Sequence, residues 1–266
     1  MKALFYPIAL FGLAIVLQSC SLLSAAGLSS QGQPVKTVDE PLESTGTSLV
    51  ARIDHSIWDD LLRKHVAENG LVDYKGFLED RAKLTEYLEY LGNNAPTEDW
   101  SVSELLAYYI NIYNAYTVDL IVENYPVKSI KDLNGPWTRG FVKIGDKNLS
   151  LGGIENGILR KMNEPRIHFA INCASYSCPK LLNEAYFADK IGAQLDMVTR
   201  DFINGDKNEI SAMNPKLSSI FDWYRKDYEV NGEADVIAYI NQYSEVKIDP
   251  SANLDYLEYN WNLNEQ

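Results

Sequence analysis

One long apolar stretch, Ser103 to Asn124, constrains the fold more than any other part of this chain. It reads SELLAYYINIYNAYTVDLIVEN, and its apolar residues fall on almost every side of the helix that it would form. Leu106 and Ile110 share one side, whereas Ala107 and Ile121 lie on another. A helix without a polar face is buried on several sides. The sequence therefore predicts that this segment is the central helix of the domain.

Two asparagines interrupt the apolar surface of this predicted helix. Asn111 and Asn114 are three residues apart, so their side chains share a face. Buried amides must find hydrogen-bond partners, because burying an unpaired polar group is unfavourable. Two interpretations stay open at this point: the amides fasten a neighbouring loop, or they line a binding site.

The rest of the chain predicts a helix-rich α+β domain. The stretch FVKIGDKNLSL alternates around a Gly-Asp turn and predicts a β-hairpin, and Ile167 to Ile171 is predicted as a strand. Further helices are predicted near residues 53–68, 78–91, 152–162 and 188–202 and at VIAYINQY, and the first two are amphipathic. The sequence contains no internal repeat, Walker loop or dinucleotide fingerprint, so no nucleotide cofactor is predicted.

The N-terminus has the features of a bacterial export signal. Residues 1–19 combine Lys2 with an apolar run too short to span a bilayer comfortably, which is typical of a signal peptide. The following LQSC resembles a lipobox, which implies cleavage before Cys20 and lipid attachment there. Ser21 rather than an aspartate follows, which favours the outer membrane. The alternative is an ordinary signal peptide cut near Ala25.

Behind this signal, residues 20–50 are rich in Ser, Gly, Thr and Pro and predict a lipidated, flexible tether. Residues 51–266 suit a single globular domain. The formal net charge of −13 disfavours binding to nucleic acid and anionic headgroups. We therefore expect membrane association through the N-terminal lipid, and no nucleic-acid partner.

The chain has only three histidines and three cysteines, which limits the candidate chemistry. His55 and His65 fall in a polar amphipathic helix, where surface histidines are expected. The others cluster in RIHFAINCASYSCP, residues 166–179, which holds His168, Cys173 and Cys178. Two cysteines without a second Cys/His cluster argue against a metal site.

Several segments together resemble the domain-of-unknown-function family 547, from about residue 53 to residue 264. The segments that carry the resemblance are VDYKGF, AYYINIYNAYTV, LSLGGIENGILR, RIHFAINCASYSCP, SIFDWYRKDY and YLEYNWNLN. The family is grouped with papain-like and transglutaminase-like cysteine enzymes, so the resemblance implies a central helix packed on a small antiparallel sheet. That clan often performs acyl transfer or peptide-bond hydrolysis. Its nucleophile normally begins the central helix, but the helix of this chain has no cysteine there.

The resemblance suggests a catalytic assignment within these segments. Cys173 would be the nucleophile, His168 its base and Glu155 the carboxylate that orients the base. Asn172, or a main-chain N–H near Ala174, would hold an oxyanion.

Strand geometry argues against direct contact between the two chemical residues. In a regular strand His168 and Cys173 point to opposite faces and lie about 16 Å apart, so contact requires a sharp turn near Asn172. Two other interpretations stay open: a Cys173–Cys178 disulfide, favoured by an oxidising envelope, and buried free thiols.

The function expected from the sequence is that of an envelope lipoprotein with cysteine-dependent hydrolase or acyltransferase activity on peptide-like substrates. The alternative is a non-catalytic domain of the same fold that binds a protein or peptidoglycan partner. A purely structural envelope protein is a third interpretation.

Overall fold

The computed structural model describes residues 21–40, 42 and 52–266. The predicted signal peptide and the predicted lipidation site Cys20 lie outside the described residues, as does most of 41–51. Residues 21–25 are α-helical. The α-helices that follow are α1 (Ser56–His65), α2 (Tyr74–Glu79), α3 (Arg81–Asn93), α4 (Val102–Glu123), α5 (Leu151–Gly157), α6 (Ile191–Asn204), α7 (Ile220–Trp223) and α8 (Val236–Tyr243). Short 3₁₀-helices occupy Ile130–Asp132, Leu159–Met162, Pro165–Phe169 and Arg225–Asp227.

The strands are only two or three residues long and form three separate two-stranded sheets in the described part of the chain. They are β1 (Val142–Ile144), β2 (Lys147–Leu149), β3 (Lys216–Leu217), β4 (Glu229–Val230), β5 (Glu233–Ala234) and β6 (Asp255–Tyr256). The pairs β1–β2 and β4–β5 are antiparallel, whereas β3–β6 is parallel. The helix-rich α+β class is confirmed, but the single small antiparallel sheet is replaced by these short pairs.

Helix α4 is the buried centre of the domain, as its composition predicted. It contacts α2, α3, α5 and α6, and most of its side chains are buried. The helix begins one residue earlier than predicted, because Ser101 caps it. Ser101 Oγ accepts from the N–H of Glu104 (3.2 Å), and the Glu104 carboxylate accepts from the N–H of Ser101 (2.7 Å). This capping box satisfies two backbone donors that a helix start leaves unpaired.

The strand predicted for Ile167–Ile171 is wrong. The chain forms the 3₁₀-helix Pro165–Phe169 there, with Pro165 in its first turn and the Glu164 carboxylate accepting from the N–H of Arg166. Proline suits a first helical position because its φ is fixed and it lacks an N–H. A short apolar run cannot by itself distinguish a buried strand from a buried helical turn. The alternation argument that separated His168 from Cys173 therefore does not apply.

The two histidines expected at the surface are both buried, because α1 packs against α2 and α3. His55 Nδ1 lies 2.7 Å from the Tyr87 hydroxyl, and burial lowers the pKa of His55 to about 4. His65 Nε2 lies 2.8 Å from an Asp80 carboxylate oxygen, and its ring packs on Phe77. The amphipathic pattern placed α1 correctly, but it did not show which helices cover the polar face.

Residues 21–40 lie against the domain rather than apart from it. The Asn156 side chain donates to the Ala25 carbonyl (2.9 Å), and the Tyr109 hydroxyl donates to the Pro34 carbonyl (2.9 Å). Helix α5 presents glycine to this segment: a Cβ on Gly157 would lie 2.6 Å from the Ser29 carbonyl oxygen. The glycines of GGIENG therefore let the N-terminal segment approach the helix closely.

Candidate functional site

The three residues assigned to catalysis from the sequence line one cavity of about 370 Å³. Helix α5 contributes Glu155, the 3₁₀-helix at 165–169 contributes His168, and the loop after it contributes Cys173. Aromatic side chains from the segment 223–261 complete the walls. We call this cavity the cleft.

The loop after the 3₁₀-helix turns at Ala174, and Asn114 of α4 holds the residues just before the turn. Asn114 Nδ2 donates to the Ala170 carbonyl (3.0 Å), while Oδ1 accepts from the N–H of Asn172 (2.8 Å). Ala174 follows in the left-handed region, with φ of 57°. The turn is thus fixed by a side chain of the central helix, and it delivers Cys173 to the cleft.

Asn172 itself is used inside the loop. Its Nδ2 donates to the Pro179 carbonyl (2.7 Å), and its Oδ1 accepts from the N–H of Ala174 (2.8 Å). Both donors considered for an oxyanion, the Asn172 amide and the Ala174 N–H, are therefore engaged with protein partners.

Asn111 fastens a different loop. Its Nδ2 donates to the Tyr186 carbonyl (2.7 Å), and its Oδ1 accepts from the N–H of the same residue (3.0 Å). Neither Asn111 nor Asn114 is among the residues that line the cleft. Of the two interpretations left open by the sequence, the structure favours the fastening of loops.

The Cys173 sulfur has three polar neighbours. Its Sγ lies 2.8 Å from the Cys178 sulfur, 3.1 Å from Ser175 Oγ and 3.2 Å from the Tyr259 hydroxyl. Hydrogen bonds from Cys178, Ser175 and Tyr259 lower the pKa of Cys173, against the opposing effects of burial and of the Glu155 charge. Burial raises the pKa of Cys178. Both cysteines are free thiols in the structure, so the disulfide stays a prediction.

His168 is oriented by Asp227, a residue that the sequence did not single out. Its Nε2 lies 2.8 Å from Asp227 Oδ2, while Arg160 binds the same carboxylate through Nε (2.6 Å) and Nη2 (2.7 Å). Burial alone would raise the pKa of Asp227, but hydrogen bonds from Arg160 and His168 lower it to about 2. The imidazole stacks on the Tyr224 ring, with centroids 3.9 Å apart. Its Nδ1 is buried and has no hydrogen-bond partner in the part of the chain that the structure describes.

Glu155 is buried, and its hydrogen-bond partners are two tyrosines and not His168. Its Oε1 accepts from the Tyr224 hydroxyl (2.5 Å) and its Oε2 accepts from the Tyr113 hydroxyl (3.3 Å). The carboxylate that is hydrogen-bonded to His168 is therefore that of Asp227, and not that of Glu155 as expected from the sequence. Glu155 instead places a negative charge beside the thiol, which raises the pKa of Cys173.

Four aromatic rings form one wall of the cleft. Trp261 lies within 6 Å, ring centre to ring centre, of Trp137 (5.9 Å), Trp223 (5.9 Å) and Tyr259 (4.6 Å). Trp223 is 48% exposed, so part of this wall is open to solvent. These residues and Asp227 were missed as site residues, although the aromatic-rich SIFDWYRKDY and YLEYNWNLN carried part of the family resemblance.

Among residues 21–40, 42 and 52–266, no group of three or more His, Cys, Asp or Glu side chains is arranged to hold a metal ion.

Comparison with known proteins gives a match to a family model. Residues 97–203 match the model of a family described as "Protein of unknown function, DUF547". No curated protein and no solved structure matches the chain. The matched segment includes Asn114, Glu155, His168, Cys173 and Cys178. The match supports the resemblance of this part of the chain to the DUF547 family, whose description assigns no function.

Proposed function

We propose that the cleft is the active site of a cysteine-dependent hydrolase or acyltransferase that acts on peptide-like substrates. The observation that carries the proposal is the environment of Cys173. Its thiol lines a cavity of about 370 Å³, and neighbouring donors lower its pKa. A lowered thiol pKa raises the fraction of thiolate at neutral pH, and the thiolate is the nucleophilic form.

In this mechanism the Cys173 thiolate adds to an acyl carbon and forms a thioester, while the leaving group takes up a proton from water in the open cleft. Water or a second nucleophile then attacks the thioester, releases the acyl group and regenerates the thiolate. The Tyr259 hydroxyl lies 3.2 Å from the sulfur, where it donates to the thiolate once that form is present.

His168 and Asp227 supply the base for the second step. If Nε2–H is donated to Asp227, the neutral imidazole carries its lone pair on Nδ1, the atom without a protein partner. That nitrogen can accept the proton of the attacking water. His168 does not need to touch the thiol in the resting state, because the thiol is activated by its other neighbours.

The papain/transglutaminase-like fold is part of the same proposal. Its support is the buried central helix α4, which holds the loop of the nucleophile through Asn114. The nucleophile then differs in location from that clan, since it lies in the loop and not at the helix start.

The aromatic wall favours a second candidate function, a non-catalytic domain that binds a protein or peptidoglycan partner. Rings such as Trp223 and Trp261 offer flat apolar surfaces for a sugar ring or a peptide side chain. Under this alternative a ligand would bind in the cleft, and Cys173 would form no covalent bond with it.

For location, we infer a lipid-anchored envelope protein that is directed to the outer membrane by Ser21, the residue after Cys20. The support is the LQSC sequence. In the described part of the chain, none of the helices combines the length and apolar character needed to cross a bilayer. The Cys20→Ser substitution should release the protein from membranes. A variant that still fractionates with membranes would contradict lipidation at Cys20.

The activity is tested by acylation with p-nitrophenyl acetate, an activated acyl donor. The reduced native protein should form an acetyl thioester on Cys173 faster than the same thiol does in unfolded protein, and Cys173→Ala should abolish it. Tyr259→Phe removes a donor to the thiolate and should slow the reaction. Tyr256→Phe is the matched control, since its hydroxyl bonds Arg225 and lies outside the cleft.

Two outcomes would contradict the enzyme proposal. One is a native Cys173 that acylates no faster than the thiol of the unfolded chain. The other is an equal rate in the Tyr259→Phe and Tyr256→Phe variants, since the neighbours of the sulfur would then have no effect on its reactivity.

A further inference from the structure

A second sulfur is the nearest polar neighbour of the Cys173 thiol. The sulfur atoms of Cys173 and Cys178 lie 2.8 Å apart, and both are free thiols. A disulfide bond has a length of about 2.05 Å, so its formation requires the two atoms to approach by less than about 1 Å. The pair can therefore be bonded or separate with little movement of the backbone.

The loop that carries both thiols is held without a disulfide. The Asn172 side chain donates to the Pro179 carbonyl (2.7 Å), which joins the two ends of the loop. Inside it, the N–H of Cys178 donates to the Ser175 carbonyl (3.0 Å), and the N–H of Cys173 donates to the Cys178 sulfur (2.9 Å). Since these bonds already fix the loop, a covalent link is not needed to maintain its conformation.

The two thiols differ in access and in acidity. Cys173 is half-buried, whereas Cys178 is 5% exposed. Donors around the Cys173 sulfur lower its pKa, and burial raises the pKa of Cys178. In thiol–disulfide exchange the attacking sulfur must be accessible and ionised, whereas the resolving sulfur only has to reach the mixed disulfide. Cys173 fits the first role and Cys178 the second.

From this geometry we propose that Cys173 and Cys178 form a redox-active dithiol that undergoes reversible exchange with a low-molecular-weight disulfide entering the cleft. The Cys173 thiolate attacks one sulfur of the disulfide RSSR, the S–S bond breaks, and RS⁻ leaves and takes up a proton. Cys178 then loses its proton, its sulfur attacks Cys173, and the second RS⁻ leaves. In total the protein dithiol loses two electrons and two protons to RSSR, which becomes two RSH.

This exchange also regulates the proposed acyl transfer, and only this consequence rests on the proposed function. A sulfur held in a Cys173–Cys178 disulfide is not a nucleophile. The oxidised form would therefore be inactive in acylation, and reduction would restore it.

The test uses glutathione disulfide and the full chain in a Cys20→Ser background, so that only the two loop thiols are counted. The protein that has both loop cysteines should convert one glutathione disulfide per chain into two molecules of reduced glutathione. Its mass, measured by mass spectrometry, should show no retained glutathione. Cys178→Ser should release one and retain one on Cys173. Serine is chosen because its oxygen can still accept from the N–H of Cys173. Reduced glutathione should then restore both thiols in the native protein.

Three results would overturn the proposal. They are no reaction with glutathione disulfide, a stable glutathione adduct on the protein that retains Cys178, and a native disulfide that reduced glutathione opens only after unfolding. The last result would identify an inert structural disulfide.

The Cys178→Ser variant distinguishes a failure of the redox pair from a failure of the proposed acyl transfer. Cys178→Ser keeps the nucleophile, so it should acylate with p-nitrophenyl acetate but lose the second glutathione release. Exchange without acylation would contradict the enzyme alone, and acylation without exchange would contradict the redox pair alone.

Discussion

The turn that delivers Cys173 depends on Asn114, and its replacement gives a quantitative test. Asn114 is 2% exposed, and its amide makes hydrogen bonds of 3.0 Å to the Ala170 carbonyl and 2.8 Å from the N–H of Asn172. Asn114→Ala removes both and leaves two buried backbone groups without partners. Each orphaned group costs about 1–3 kcal/mol, so the loss is roughly 2–6 kcal/mol. Whole domains are stable by only about 5–15 kcal/mol.

Two measurements apply to this variant. Urea unfolding, followed by tryptophan fluorescence, should give a free energy of unfolding lower by that amount. The rate at which iodoacetamide labels Cys173 in the native state should also change, because the loop between residues 170 and 174 loses its anchor. We expect faster labelling, since a loosened loop exposes the thiol more often.

Asn111→Ala is the matched control. It removes two equivalent hydrogen bonds from the same helix, but these hold Tyr186 and not the cysteine loop. It should lose a similar amount of stability and leave the labelling rate of Cys173 unchanged. A loss below about 1 kcal/mol for Asn114→Ala, or an equal change of labelling in both variants, would refute the reasoning.

Three further predictions concern stability. Burial lowers the pKa of His55 from 6.5 to about 4. The buried neutral imidazole therefore contributes its full share to the free energy of unfolding above pH 6.5, and this share is lost as the pH falls towards 4. The loss is about 3 kcal/mol, and His55→Gln should flatten the stability curve in that window. The pKa of Asp227 is lowered from 3.8 to about 2, so this carboxylate contributes about 2 kcal/mol to the free energy of unfolding above pH 4. That contribution is lost as the pH falls towards 2. Asp227→Asn should remove this dependence, and an unchanged curve would contradict the ion pair. Gly157→Ala should lower the free energy of unfolding by about 1–3 kcal/mol and speed proteolysis within residues 21–40, because the new Cβ meets the Ser29 carbonyl oxygen. A stabilised variant would show that the segment does not pack there, since alanine is the better helix former.

The features that the sequence predicted correctly depend on local pattern. The apolar residues on all sides of α4 required its burial, and the Gly-Asp turn predicted the β1–β2 hairpin. The buried amides of Asn111 and Asn114 required hydrogen-bond partners, which the structure supplies from loop backbone, whereas the binding role considered for them stays a prediction. Composition and periodicity determine these features because each follows from residues that are neighbours along the chain.

The errors and omissions arise where tertiary contacts decide. Pro165 and the surrounding core favour a 3₁₀-helix over the strand predicted from the short apolar run. Asp227 reaches His168 across 59 positions of sequence, and Tyr259 reaches Cys173 across 86. Such pairings leave no periodic signal in the chain. The sequence thus determined that α4 is central and that Cys173 and His168 are the scarce reactive residues. Only the tertiary structure decided which hydroxyl, carboxylate and second thiol surround them, because long-range packing brings those groups together.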